Sequence, residues 1–112
     1  MPLLKVCGVN SASFAAEAAQ LGIDYIGLIF HAPSPRCTSI TGATDIIAAA
    51  RRTSHGTIRF TGVFVEQSTD EILEIASELG LDTIQIHRDA DAFTVTTLKN
   101  KGFEVYSKPL FY

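Results

Sequence analysis

The chain is 112 residues long, which fits one domain or part of one and leaves no room for a second core. Hydrophobic residues make up 46% of it and charged residues 19%, enough apolar material for a packed interior and far from the composition of a disordered segment. With a formal charge of -3, and Lys and Arg scattered apart from Arg51-Arg52, the sequence has no basic stripe for nucleic acid, although a single Arg or Lys can still hold a small anion.

No apolar run reaches the roughly 18 residues of a membrane span, and the opening MPLLKV lacks the charged-then-apolar layout of a signal peptide. The chain is therefore expected in the cytoplasm, with no membrane partner. Its two cysteines, Cys7 and Cys37, are expected as free thiols in that compartment.

Leu3 to Cys7 is a short apolar run read as a strand. Ser11 then caps a helix through Leu21 with Phe14, Ala15, Ala18, Ala19 and Leu21 on its inward side, and Gly22 stops it. Asp24 to Phe30 is too short and too continuously apolar for an amphipathic helix, so it reads as a buried strand leading into the loop HAPSPRC. A second helix runs from about Ser39 to Arg52, with Ile40, Ile46, Ile47 and Ala50 on one side.

Thr57 to Val65 is rich in β-branched and aromatic residues and forms a third strand. Ser68 to Glu71 is a capping box, opening a helix with Ile72, Ile75, Ala76 and Leu79 inward that ends at Gly80. Asp82 to His87 alternates as a fourth strand, and Asp89 to Lys101 is a helix despite its run of Thr and Val, with Asp89 and Asp91 as negative charge near its start. Gly102 leads into a fifth strand, FEVYSKP.

The segments AAQLGIDYIGLIF and IASELGLDTIQIH share a helix end, Leu-Gly, an apolar residue, Asp and Ile at matching positions, as a repeated β/α unit would. Alternating strands and helices imply parallel pairing with right-handed crossovers. Two architectures fit: an open doubly wound sheet of order 2-1-3-4-5, or an arc of a β/α barrel with sequential order 1-2-3-4-5.

Strand alternation sets Lys5 and Cys7 on one face and Leu4 and Val6 on the other, and likewise Thr83, Gln85 and His87 against Ile84 and Ile86. If the apolar sets lie under the helices, Lys5, Cys7, Gln85 and His87 gather on the opposite face, with Cys7 and His87 at the carboxyl edge where such folds bind ligands. Each has a plain alternative. Cys7 reads equally as a buried core thiol or a functional one, and His87 as a hydrogen-bonded rim residue. Lys5 on this face calls for a carboxylate partner. Arg36, in Ser34-Pro35-Arg36, is either a solvated loop residue or a bidentate carboxylate clamp. No zinc-type spacing, Walker loop or GxGxxG is present, so neither metal nor cofactor is expected.

Lys5-Val6-Cys7-Gly8-Val9, Gly27-Leu28-Ile29-Phe30, Ser34-Pro35-Arg36, Gly62-Val63-Phe64-Val65 and Gln85-Ile86-His87 resemble, in order and spacing, the phosphoribosylanthranilate isomerase family of tryptophan biosynthesis. The resemblance covers the first half of the family pattern and implies a parallel (βα)4β5 arc of a TIM-type (β/α)8 barrel, incomplete in this chain, as a single partial domain over residues 1–112. It implies an Amadori rearrangement of a phosphorylated small-molecule substrate, with Cys7 as general base, a role that calls for a thiolate, Arg36 on the anthranilate carboxylate and His87 bordering the site.

The sequence departs from the family at Arg88, where a glycine is usual, and at SKPLFY. The family's general acid on strand six and its phosphate loops after strands seven and eight have no counterpart here, so activity is expected to be weak or absent. A half barrel exposes its edge strands and inner face, where Phe64 is expected to lie, and so predicts a homo-oligomer or pairing with a missing C-terminal half. The apolar end Pro109-Leu110-Phe111-Tyr112 fits either a piece of a longer protein or a short self-associating homologue. Against the isomerase stand a non-catalytic assembly module and a flavodoxin-like binding domain, the latter separable by strand order.

Overall fold

Strands and helices alternate along the chain as β1 (Lys5–Cys7), α1 (Ala12–Gln20), β2 (Tyr25–Ile29), α2 (Ile40–Thr53), β3 (Arg59–Phe64), α3 (Thr69–Leu79), β4 (Thr83–Ile86), α4 (Ala92–Asn100) and β5 (Glu104–Ser107). The structure, a computed structural model, describes residues 4–53, 58–86 and 91–107. The five strands are all parallel and lie in the order β1-β2-β3-β4-β5. Sequential order is that of a barrel arc and removes the doubly wound alternative.

The helices begin where side chains satisfy their free N–H groups. Ser11 Oγ accepts from the Phe14 N–H at 3.0 Å, Ser39 Oγ from Gly42 at 3.0 Å, and Asp91 Oδ1 from Thr94 at 2.8 Å. At α3 the expected capping box is complete: Ser68 Oγ accepts from Glu71 N–H and Glu71 Oε1 from Ser68 N–H. Gly80 closes α3 in the left-handed conformation, φ +67°.

The sequence echo has a structural meaning. Asp24 Oδ2 accepts from the Leu4 N–H at 2.8 Å and Asp82 Oδ2 from the Phe60 N–H at 2.9 Å, so each aspartate ties the start of the preceding strand. The helix exits repeat too: Ile23, Leu81 and Phe103 each donate their N–H to the carbonyl of the residue five positions earlier, Ala18, Ala76 and Leu98. Similar aspartates in similar exits bond the same way.

Ile26, Leu28, Phe60, Phe64, Ile84, Ile86 and Val105 form one sheet face and pack into a single apolar cluster with Ala15, Ala43, Ile46, Ala50, Ile72, Ala76 and Leu98 from the helices. Phe64 corrects the expectation that placed it on the open inner face. It pairs in register with Ile86, is fully buried and stacks on Phe30 with ring centroids 5.3 Å apart. Leu21 and Ile40, expected inward, are exposed: Leu21 lies past the last turn of α1 as its C-cap, 79% exposed, and Ile40 is the first residue of α2. Phe14 is also exposed, and Ile75 is half-buried. Among the described residues no helix is long and apolar enough to cross a membrane.

Candidate active site

Cys7 is the last residue of β1, and the chain turns directly after it. The N–H groups of Gly8 and Val9 both donate to the Gly27 carbonyl, at 3.0 and 3.2 Å, while Gly8 takes φ +80°, a conformation that glycine adopts without steric cost. Gly27 is the register partner of Cys7. A Cβ on Gly27 would stand 3.0 Å from Cys7 Sγ and 3.2 Å from its Cα, so the missing side chain is what leaves the thiol its place. Cys7 is a free, exposed thiol and not a core residue; Cys37 is free and half-buried.

Arg36 arrives from the loop between β2 and α2. Two successive turns shape that loop, with Ser34 N–H donating to the His31 carbonyl at 2.9 Å and Cys37 N–H to the Ser34 carbonyl at 3.1 Å. The Thr38 N–H then returns to the Ile29 carbonyl at 2.9 Å, and the Arg36 N–H is held by Ser34 Oγ at 3.2 Å. The outcome is that the Arg36 side chain covers Gly8: a Cβ built there would meet Arg36 Cδ at 2.5 Å and Nη1 at 3.2 Å. Arg36, one of the sequence-predicted site residues, thus covers the residue that directly follows another, Cys7. His87 lies outside the described residues, as do Arg88 and Asp89.

The sheet face turned away from the helices is concave. A cavity of about 230 Å³ opens there, lined by Lys5, Tyr25, Thr61, Thr83, Gln85, Glu104 and Tyr106. Lys5 and Gln85 share this face as alternation requires, and Lys5 Nζ donates to Gln85 Oε1 at 3.1 Å. They belong to β1 and β4, which three strand spacings would hold about 14 Å apart in a flat sheet, so the contact records the curvature of the arc. Lys5 was expected to find a carboxylate; at hydrogen-bond distance it finds an amide oxygen instead, because curvature brings β4 to it. Thr83 Oγ1 lies 3.4 Å from Glu104 Oε1 on the same floor. Thr83 shares the face as its alternation with Ile84 requires; Tyr25, Thr61, Glu104 and Tyr106 were not singled out, although the same period of two finds them. Among the described residues no cluster of three His, Cys, Asp or Glu side chains could hold a metal ion.

The family model for N-(5'phosphoribosyl)anthranilate isomerase matches residues 4–110. The chain belongs to this family. It is 41% identical over 97 residues to the N-(5'-phosphoribosyl)anthranilate isomerase of Chlamydia caviae, covering 87% of this chain and 44% of that one. Among solved structures, a phosphoribosylanthranilate isomerase from Thermotoga maritima superposes with a TM-score of 0.83 at 25% identity, over 96% of this chain and 52% of that chain. A second solved isomerase, in complex with reduced 1-(o-carboxyphenylamino)-1-deoxyribulose 5-phosphate, has the same fold, with a TM-score of 0.84 at 24% identity over 96% and 53% of the two chains. The chain spans about half the length of the isomerases it matches. Its five-stranded arc is accordingly a partial TIM-type barrel.

Proposed function

We propose that this chain carries the base and the carboxylate clamp of a phosphoribosylanthranilate isomerase, acting on N-(5'-phosphoribosyl)anthranilate in tryptophan biosynthesis in the cytoplasm. The observation that supports it is the placement of Arg36 over Gly8, beside the exposed Cys7, at the carboxyl edge of a barrel arc matched by the family model. Arg36 takes the anthranilate carboxylate through its guanidinium fork. A general acid protonates the ribose ring oxygen, the C1′–O bond breaks, and the nitrogen lone pair forms the C1′=N⁺ bond. Cys7 as thiolate then removes the C2′ proton; the C–H electrons form C1′=C2′, the iminium electrons return to nitrogen, and the enol becomes the C2′ ketone. The family resemblance also assigns His87 to the substrate site.

In this proposal residues 1–112 act as one partial barrel domain, without metal or cofactor, and turn over weakly or not at all alone. The acid on strand six and the phosphate loops after strands seven and eight come from a C-terminal half. Turnover of N-(5'-phosphoribosyl)anthranilate tests this. The purified chain is expected near background, addition of the C-terminal half of a family member is expected to raise the rate, and Cys7→Ala is expected to remove the gain. A rate that survives Cys7→Ala counts against the base assignment.

A second reading, a non-catalytic module that self-associates, draws on the outer strands: Tyr106 on β5 and Leu4 beside β1 are each 51% exposed. Sedimentation as a stable monomer across a wide concentration range counts against it.

A further inference from the structure

The loop that presents Arg36 is tied to its neighbour at its first residue. His31 Nδ1 lies 2.8 Å from Glu66 Oε1, joining the loop after β2 to the loop after β3. The His31 side chain is 27% exposed and Glu66 66%, so the contact sits at the rim, next to solvent, on the edge where Cys7 and Arg36 lie. One residue to either side, Gln67 makes a parallel link: its Nε2 donates to the Phe30 carbonyl at 2.7 Å while its Oε1 accepts from the Val65 N–H at 3.1 Å. Gln67 fixes the backbone at the end of β2. Beyond Phe30 the loop leaves the sheet, and it returns at Cys37, which forms a parallel bridge with Ile29 as the Thr38 N–H donates to the Ile29 carbonyl.

Between those two holds, the described hydrogen bonds from Ser34 and Cys37 are internal to the loop: they give its turns shape but do not orient the loop on the molecule. The His31 ring is a side chain between those holds that reaches a neighbouring loop. The first turn is closed by the His31 carbonyl, the second by the Ser34 carbonyl, and Arg36 stands in the second, so the two turns connect His31 to Arg36 along the loop.

We propose that His31 and Glu66 are a positioning pair, holding the loop 31–39 against the end of β3 so that Arg36 stays over Gly8. Neither residue touches substrate in this scheme. The consequence for function rests on Arg36 being the carboxylate clamp proposed above; the placement itself does not. An exposed pair of this kind controls a modest preference, so its loss is expected to leave the fold intact and to widen the range of positions Arg36 takes.

The test uses the full 112-residue chain and two readouts: the nuclear Overhauser contact between Arg36 δ-protons and Gly8 α-protons, and titration with anthranilate. His31→Phe and Glu66→Ala are expected to lose the contact and to weaken anthranilate binding about three- to fivefold. Glu66→Gln, which keeps a hydrogen-bond acceptor, is expected to retain most of both. A contact undiminished in His31→Phe and Glu66→Ala overturns the positioning role. If wild type and Arg36→Ala respond alike to anthranilate, the clamp fails instead, and the contact measurement still decides the role of the pair.

Discussion

Arg36 lies across the backbone of Gly8, so close that a methyl group on that glycine would stand 2.5 Å from the arginine Cδ. Gly8→Ala therefore meets two obstacles: the strain of a side chain at φ +80°, about 1–2 kcal/mol, and expulsion of the arginine from its place. The expected result is a fall of that order in the unfolding free energy from urea titration, together with weakened anthranilate binding. Normal stability and normal binding in Gly8→Ala would mean that the Arg36 placement is not maintained in solution.

The aspartates of the repeated segment are expected to matter unequally. Asp82 accepts from the N–H of Phe60, a fully buried residue of the third strand, whereas Asp24 serves the exposed Leu4 at the sheet edge. Asp82→Ala is expected to cost about 1–3 kcal/mol, the penalty for an unsatisfied half-buried donor. Asp24→Ala should cost less, because water reaches the Leu4 N–H. Denaturant titrations of the two variants side by side decide the order.

Phe64 is the position where the face assignment can be measured. Buried under the helices and stacked on Phe30, it should lose about 3–5 kcal/mol on truncation to alanine, a large share of the 5–15 kcal/mol typical of a whole domain. Thermal unfolding of Phe64→Ala and Phe64→Leu is expected to show the first near collapse and the second intermediate. A change below about 1 kcal/mol would put the ring back on the open face.

The capping box of α3 carries a pH signature. Hydrogen bonds from the Ser68 backbone N–H, then from its side chain, hold the Glu71 carboxyl below its ordinary value, outweighing a small opposing effect of burial. A depressed folded value means that the contribution is fully present above the unfolded glutamate value of about 4.3 and is lost as pH falls through the folded one. The stability gap between wild type and Glu71→Ala should be constant near neutrality and close in acid. Ser68→Ala, which removes the cap itself, is expected to lose about 1 kcal/mol at pH 7.

Much of the fold is legible residue by residue. Parallel strands buried between neighbours read as short apolar runs, as at Tyr25–Ile29, and Ser11 and Ser68 announce their helices because a hydroxyl at that position meets free N–H groups whatever the rest of the chain does. Boundaries were less legible. α4, expected from Asp89, begins after Asp91, whose carboxylate accepts from the Thr94 N–H. Leu21 matched the helical period but fell one residue beyond the last turn, where period no longer dictates burial.

By itself the sequence determined the alternation of strands and helices, the caps, the face shared by Lys5, Cys7 and Gln85, and the position of Cys7 at a strand end. These depend on interactions within a few residues and on the two backbone periods, which are written locally. Tertiary structure alone decided the sequential strand order, the burial of Phe64 beneath the helices, the reach of Lys5 across the arc to Gln85 and the descent of Arg36 onto Gly8. Each of these depends on register and curvature, which parallel pairing between distant segments creates, and no local pattern in a strand records which neighbour it will join.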